Sequence, residues 1–126
     1  MNNELFDRAN ERYRLRDYRG ALMAFTECLQ DAGSSLAPGE VGLLYHQIGN
    51  CLVKLKNPRE AIQAYSQATA DTAYRALATV ECNLGMAYAS LRDYTNAINC
   101  FEKSVADTTN PTPYKSYMGM GNALMK

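Results

Sequence analysis

The side chains best equipped for metal or nucleophilic chemistry are Cys28, Cys51, Cys82 and Cys100, together with a single imidazole, His46. The cysteines lie far apart and form no CxxC pair. A structural zinc site needs four converging ligands that usually arrive in close pairs, so no metal is expected. An even cysteine count permits disulfides, but the chain lacks a small, cysteine-dense secreted framework. The four thiols read instead as small buried hydrophobes of a reducing compartment. Ser34 and Ser35 sit in a turn-like stretch with no base nearby in sequence. The carboxylates are spread over polar helix positions, where no acid–base pair stands out. No glycine-rich phosphate loop is present. Catalysis and a cofactor are therefore not expected.

Charge and hydropathy narrow the classes further. Thirteen basic and thirteen acidic side chains leave the 126-residue chain with no net charge. No basic run is interleaved with aromatics, so neither nucleic acid nor an anionic membrane is an expected partner. The longest mostly apolar stretch, Val41 to Leu55, is interrupted by His46, Gln47, Asn50 and Lys54 and cannot span a bilayer. The start, Met1-Asn2-Asn3-Glu4, has no basic lead and no apolar core, so a secretory signal is not expected there. A single cytoplasmic domain is the expectation.

The organising feature is an internal repeat. Gln47-Ile48-Gly49-Asn50, Asn83-Leu84-Gly85-Met86 and Gly119-Met120-Gly121-Asn122 align, and their central glycines are 36 residues apart both times. Twelve residues after the first two glycines stand Ala61 and Ala97, followed four later by Tyr65 and Phe101. Ala9, Ala21 and Phe25 form an earlier copy, displaced by 40 residues because the segment from Ala32 to Pro38 is longer. Leu84, Tyr88 and Leu91 recur at helical spacing, as do Ala97, Ile98, Phe101 and Val105. Asp17, Asn57 and Asp93 share one repeat position where each could accept from the amides of a new helix. Pro58 suits a first helical turn. Gly49 and Gly85, with Ala21, Ala61 and Ala97, are small enough to let paired helices approach closely. Seven helices are predicted, at 3–15, 18–31, 39–55, 58–70, 72–91, 94–107 and 112–126. The extra residues between the second and third units are assigned to longer helices, since Ala70-Asp71-Thr72 leaves almost no loop.

This pattern resembles the tetratricopeptide repeat. Leu84-Gly85, Tyr88, Asp93-Tyr94, Ala97 and Phe101 carry the resemblance most fully, with Tyr45, Ile48-Gly49, Ala61, Tyr65 and Ala68 in the preceding copy. The repeat is longer than the family's 34 residues, Trp is missing, and the closing prolines are loosely placed. The resemblance implies an all-α, right-handed solenoid of helix-turn-helix units, stacked so that each buries its apolar face on its neighbours. One domain over 1–126 is expected, with units at about 2–38, 39–71, 72–109 and a partial unit at 110–126.

The family's concave groove is lined by the first helix of each unit. Carried over residue by residue, that position set includes Asn10, Tyr13, Arg14, His46, Asn50, Lys54, Met86, Lys115 and Asn122, with Asn83 beside them. Every charged residue of the set is basic, which implies a protein or peptide partner with an acidic segment or a free C-terminal carboxylate. One subfamily clamps the terminal carboxylate of chaperone tails with a Lys–Asn–Asn–Lys–Arg set. Asn50, Asn83 and Lys115 match it, while His46 and Gly119 replace the first Lys and the Arg, so bidentate capture is lost.

The chain stops inside a repeat, and its last helix carries Tyr114, Tyr117, Met118, Met120, Leu124 and Met125. Two explanations stand: a fragment of a longer repeat protein, which is favoured, or packing of this end against another copy. Both predict self-association through the last helix, as a homodimer in the simplest case. The leading expectation is a non-catalytic interaction scaffold. An assembly module acting through the incomplete repeat is the alternative.

Overall fold

The computed structural model describes residues 1–31 and 35–126. Ser34 and part of the long first connection, Ala32 to Pro38, fall outside the described residues. Among the described residues seven helices follow in order: α1 (Asn3–Arg14), α2 (Tyr18–Gln30), α3 (Glu40–Lys54), α4 (Pro58–Thr69), α5 (Leu77–Ser90), α6 (Tyr94–Ala106) and α7 (Pro113–Leu124). No strand occurs among the described residues. Each helix packs on the next along the chain, and α7 also touches α5. The architecture is an all-α solenoid.

Local chemistry starts the second helix of each unit. Asp17, Asn57 and Asp93 accept from the backbone amides of Gly20, Glu60 and Asn96 at 3.0, 3.4 and 3.3 Å. Each satisfies one of the amides a helix start leaves unpaired. The turns before these caps are tight, and the residue preceding each cap adopts a left-handed conformation.

Between the two helices of a unit, small residues meet aromatic rings. A Cβ placed on Gly49 would lie 2.4 Å from the Tyr65 ring, and one on Gly85 would lie 2.7 Å from the Phe101 ring. The absent side chains let Tyr65 and Phe101 lie flat on the first helix, and both rings are buried. Ala9, Ala21, Ala61 and Ala97 are fully buried at the other close contacts. Phe6 and Phe25 meet edge to face at 5.8 Å in the first unit. All four cysteines are buried with free thiols.

The connection between the second and third units differs from the expectation. Residues 72–76 are turn rather than helix, and α5 begins at Leu77. Asp71 explains the difference. Its carboxylate accepts from the Ala73 amide at 3.2 Å and from the Gly42 amide at 2.8 Å. Gly39 caps α3 with no side chain to offer, so Asp71, 29 residues beyond Gly42, supplies the missing acceptor. A helix begun at 72 would pull this carboxylate away. The turn also lays Tyr74 against Gly42, where an added Cβ would sit 2.6 Å from the Tyr74 Cβ.

At the other end α7 is pinned by a buried hydroxyl pair. Ser104 donates to the Ala78 carbonyl at 2.7 Å and accepts from Ser116 at 2.8 Å. The Asn110 amide adds a bond to the Ser104 carbonyl at 2.9 Å. These bonds tie α5, α6 and α7 together and set the angle of the last groove wall.

Candidate functional site

The first helices of the units form one wall of the molecule, and two adjoining cavities open along it. The first, of about 460 Å³, lies among α1, α3 and α5. Tyr13, Asn50, Val53, Lys54, Asn83 and Met86 line it, with Lys56 at its rim. The second, of about 910 Å³, lies between α5 and α7. Its lining includes Arg92, Lys115, Met118, Asn122 and Lys126. Met86 and Ser90 belong to both, so the two cavities form one continuous groove.

No acidic side chain lines either cavity. The ion pairs among the described residues are Met1 with Glu40, Arg12 with Asp17 and Arg14 with Glu11. Lys54, Lys56, Arg92, Lys115 and Lys126 take part in none of them. Between these cations the surface is apolar, from Val53, Met86 and Met118, or carboxamide, from Asn50, Asn83 and Asn122. Such a surface offers charge for anions, amides for a peptide backbone and apolar ground for side chains.

Beneath the groove runs a hydrogen-bond chain. The Tyr65 hydroxyl donates to Asn50 Oδ1 at 2.7 Å, and Asn83 Nδ2 donates to the same oxygen at 3.4 Å. Asn83 Nδ2 also faces His46 Nε2 at 3.2 Å. That nitrogen must accept, which leaves the proton on Nδ1, where it is donated to the Tyr74 hydroxyl at 2.7 Å. Burial lowers the His46 pKa below its ordinary value and favours this neutral form. Burial likewise raises the Tyr74 and Tyr65 phenols. The chain holds both carboxamides in fixed rotamers at the groove floor.

Seven of the ten groove residues named from sequence line the cavities: Tyr13, Asn50, Lys54, Asn83, Met86, Lys115 and Asn122. His46 does not; it is buried under them and acts on the groove through Asn83. Asn10 and Arg14 are exposed on α1 outside both cavities, and Arg14 is paired with Glu11. Lys56 and Arg92 are additions that the groove positions did not include. The sequence signal for them is a basic residue recurring directly before the caps Asn57 and Asp93.

On α7 the six residues assigned to self-association divide. Tyr117, Leu124 and Met125 are 59, 68 and 85% exposed, and Tyr114 is exposed beside them. Met118 lines the groove instead. Met120 points inward and packs against the Ala97 and Phe101 cluster, because α7 turns that side to α6. Gly121, the third central glycine, has nothing within 4 Å of where its Cβ would lie.

Among the described residues, no group of three potential metal ligands is found, and no helix is long and apolar enough to cross a membrane. Burial pushes the Cys51 and Cys100 thiols up to about 12, far from a reactive thiolate.

The tetratricopeptide-repeat family profile matches residues 43–70 and 81–106, which are the helix pairs α3–α4 and α5–α6. These two helix pairs are tetratricopeptide repeats. Two solved domains share the fold. The TPR2B domain of yeast Sti1, solved as a complex with pHsp70, is 18% identical and superposes with a TM-score of 0.81, over 98% of this chain and 95% of its own. The Sgt2 TPR domain from Aspergillus fumigatus is 17% identical with a TM-score of 0.80, over 98% of this chain and 76% of its own. No curated protein matches in sequence. At such identities the likeness concerns the fold, so the tetratricopeptide groove is comparable in shape while its side chains are this chain's own.

Proposed function

We propose that this tetratricopeptide domain is a non-catalytic scaffold whose concave groove holds an extended, acidic segment of a partner protein. The observation that carries the reading is the groove's composition: Lys54, Lys115 and Lys126 outside the ion pairs of the described residues, no carboxylate in the lining, and three carboxamides between the lysines. A peptide with acidic side chains or a terminal carboxylate satisfies the cations, and its backbone satisfies the amides. That the Sti1 TPR2B domain was solved with pHsp70 supports a protein ligand for a groove of this shape. On this reading the chain is one domain with units at about 2–38, 39–71, 72–109 and 110–126. It works in the cytoplasm, where its free buried thiols suit a reducing environment.

Titration of ¹⁵N-labelled protein with a decaglutamate peptide tests this. Amide shifts are expected at Asn50, Asn83, Met86 and Asn122, and their loss in Lys54→Glu/Lys115→Glu. Shifts confined to α2, α4 and α6, or none, would remove the groove from the reading.

A second reading, assembly through α7, is favoured by the exposed Tyr117, Leu124 and Met125 around the open Gly121. It expects dimers in sedimentation equilibrium that dissociate in Leu124→Glu. A mass that stays monomeric at every concentration would count against it.

A further inference from the structure

We propose that Arg16, Lys56 and Arg92 form a second cationic row, at the turn edge of the groove, that contacts the acidic side chains of the extended polypeptide lying there. The row deepens the groove reading and rests on it.

Among the described residues, three that are not glycine have positive φ: Arg16 at 64°, Lys56 at 64° and Arg92 at 62°. All three are basic. They occupy one repeat position, spaced by 40 and 36 residues, and each stands between a helix-ending leucine and a capping residue. A left-handed conformation is unfavourable for a residue with a Cβ and unstrained for glycine. Each of the three complete units therefore keeps a strained cation where glycine would relax the turn. Strain retained at one position of each unit points to a task for the side chain.

Their surroundings leave these charges available. The carboxylates next in sequence are engaged: Asp17 holds the Gly20 amide and Arg12, and Asp93 holds the Asn96 amide and its side-chain nitrogen at 2.7 Å. Among the described residues none of the three cations takes part in an ion pair. Lys56 lines the first cavity and Arg92 the second, so these two follow the groove from one cavity to the next, and Arg16, outside both cavities, holds the equivalent turn of the first unit. Apolar and carboxamide surface between the cations suits a polypeptide more than a nucleic acid, whose affinity rests mainly on its phosphates. The competing account is local: a cation at a helix C-terminus complements the dipole and acts as a cap.

Glycine substitution separates the two accounts, because it removes the charge and the strain together. Fluorescence anisotropy would follow a labelled decaglutamate peptide, with decaglutamine as the uncharged control and a decathymidylate as the nucleic-acid control. The variants are Arg16→Gly/Lys56→Gly/Arg92→Gly and, since asparagine also tolerates the left-handed turn, the corresponding triple Asn variant. Expected are a dissociation constant raised about tenfold or more at low salt, a shallower salt dependence, and a melting temperature unchanged or raised. Exchanging Arg and Lys at the three positions should preserve binding.

An unchanged dissociation constant would overturn the row, and with a lowered melting temperature it would assign the cations to capping. Failure of the wild type to bind decaglutamate, or tighter binding of decathymidylate, would overturn the ligand class. If Lys54→Ala/Lys115→Ala weakens the peptide while the glycine variant does not, the groove reading stands and the row falls. The reverse pattern keeps the row and removes the groove lysines.

Discussion

The Tyr65 hydroxyl, on the second helix of its unit, donates to Asn50 Oδ1 on the first at 2.7 Å. One side chain thereby fills the space above Gly49 and fixes a carboxamide at the groove floor. Packing within the unit and the binding surface are joined through this bond. Its amide nitrogen donates in turn to Gln47 Oε1 at 3.5 Å, so the carboxamide is held from both ends. Tyr65→Phe keeps the ring and removes the bond, so a loss of about 1 kcal/mol is expected. Urea denaturation monitored by circular dichroism measures it, and an unchanged midpoint would show that the bond contributes nothing net.

The repeat glycines should respond in opposite directions. Gly85→Ala drives a methyl toward the Phe101 ring, where the gap is 2.7 Å, and should destabilise by about 1–3 kcal/mol. Gly121→Ala meets nothing within 4 Å and should stabilise α7 by about 0.5–1 kcal/mol through helix propensity. Thermal midpoints of the two variants provide the comparison. Destabilisation by Gly121→Ala would mean that its face is covered in solution.

Glu81 stands four residues before Gly85, where the other units have Leu5, Tyr45 and Tyr117. Its Oε2 atom is buried without a hydrogen-bond partner, and burial raises the carboxyl pKa. The ionised form is therefore penalised in the folded state, and the penalty is relieved as pH falls through the raised pKa. Glu81→Met removes that cost at similar volume and should stabilise at neutral pH by about 1 kcal/mol. The Lys103 charge and a hydrogen bond from the Cys100 thiol favour the ionised carboxyl and oppose that cost. A chemical-denaturation midpoint at pH 7 checks it; a decrease would show that these two interactions outweigh the burial.

His46 makes stability depend on pH near neutrality. Its folded-state pKa is depressed by burial, whereas the unfolded chain titrates at about 6.5. The unfolded state therefore takes up the proton first. Stability is complete above about pH 7, falls as pH drops through 6.5, and levels off below the depressed folded value. His46→Gln can accept from Asn83 and donate to Tyr74 without titrating, and should flatten the profile between pH 5 and 7. Urea midpoints across that range decide it, and an equally steep profile in the variant would place the titration elsewhere.

Much of the fold is legible in the sequence because its determinants are local or periodic. A helix start depends on a side chain and an amide three residues on, so Asp17, Asn57 and Asp93 mark their caps unaided. Gly49 and Gly85 recur with Tyr65 and Phe101 at constant spacing, which reveals the close helix approach. The repeat also leads to most of the groove, since equivalent positions on first helices face one side. Tertiary structure decided what no spacing encodes. Asp71 reaches back to cap α3 and thereby keeps residues 72–76 out of a helix. Tyr74, placed by that turn, orients His46, which orients Asn83, so a histidine expected in the groove lies beneath it. The inward side of α7 is set by the Ser104–Ser116 contact, which turns Met120 to the core and leaves Gly121 bare. Each of these depends on where one helix lies relative to another that is distant in sequence. That placement is fixed by side-chain packing and hydrogen bonding across the interface, which a one-dimensional pattern does not contain.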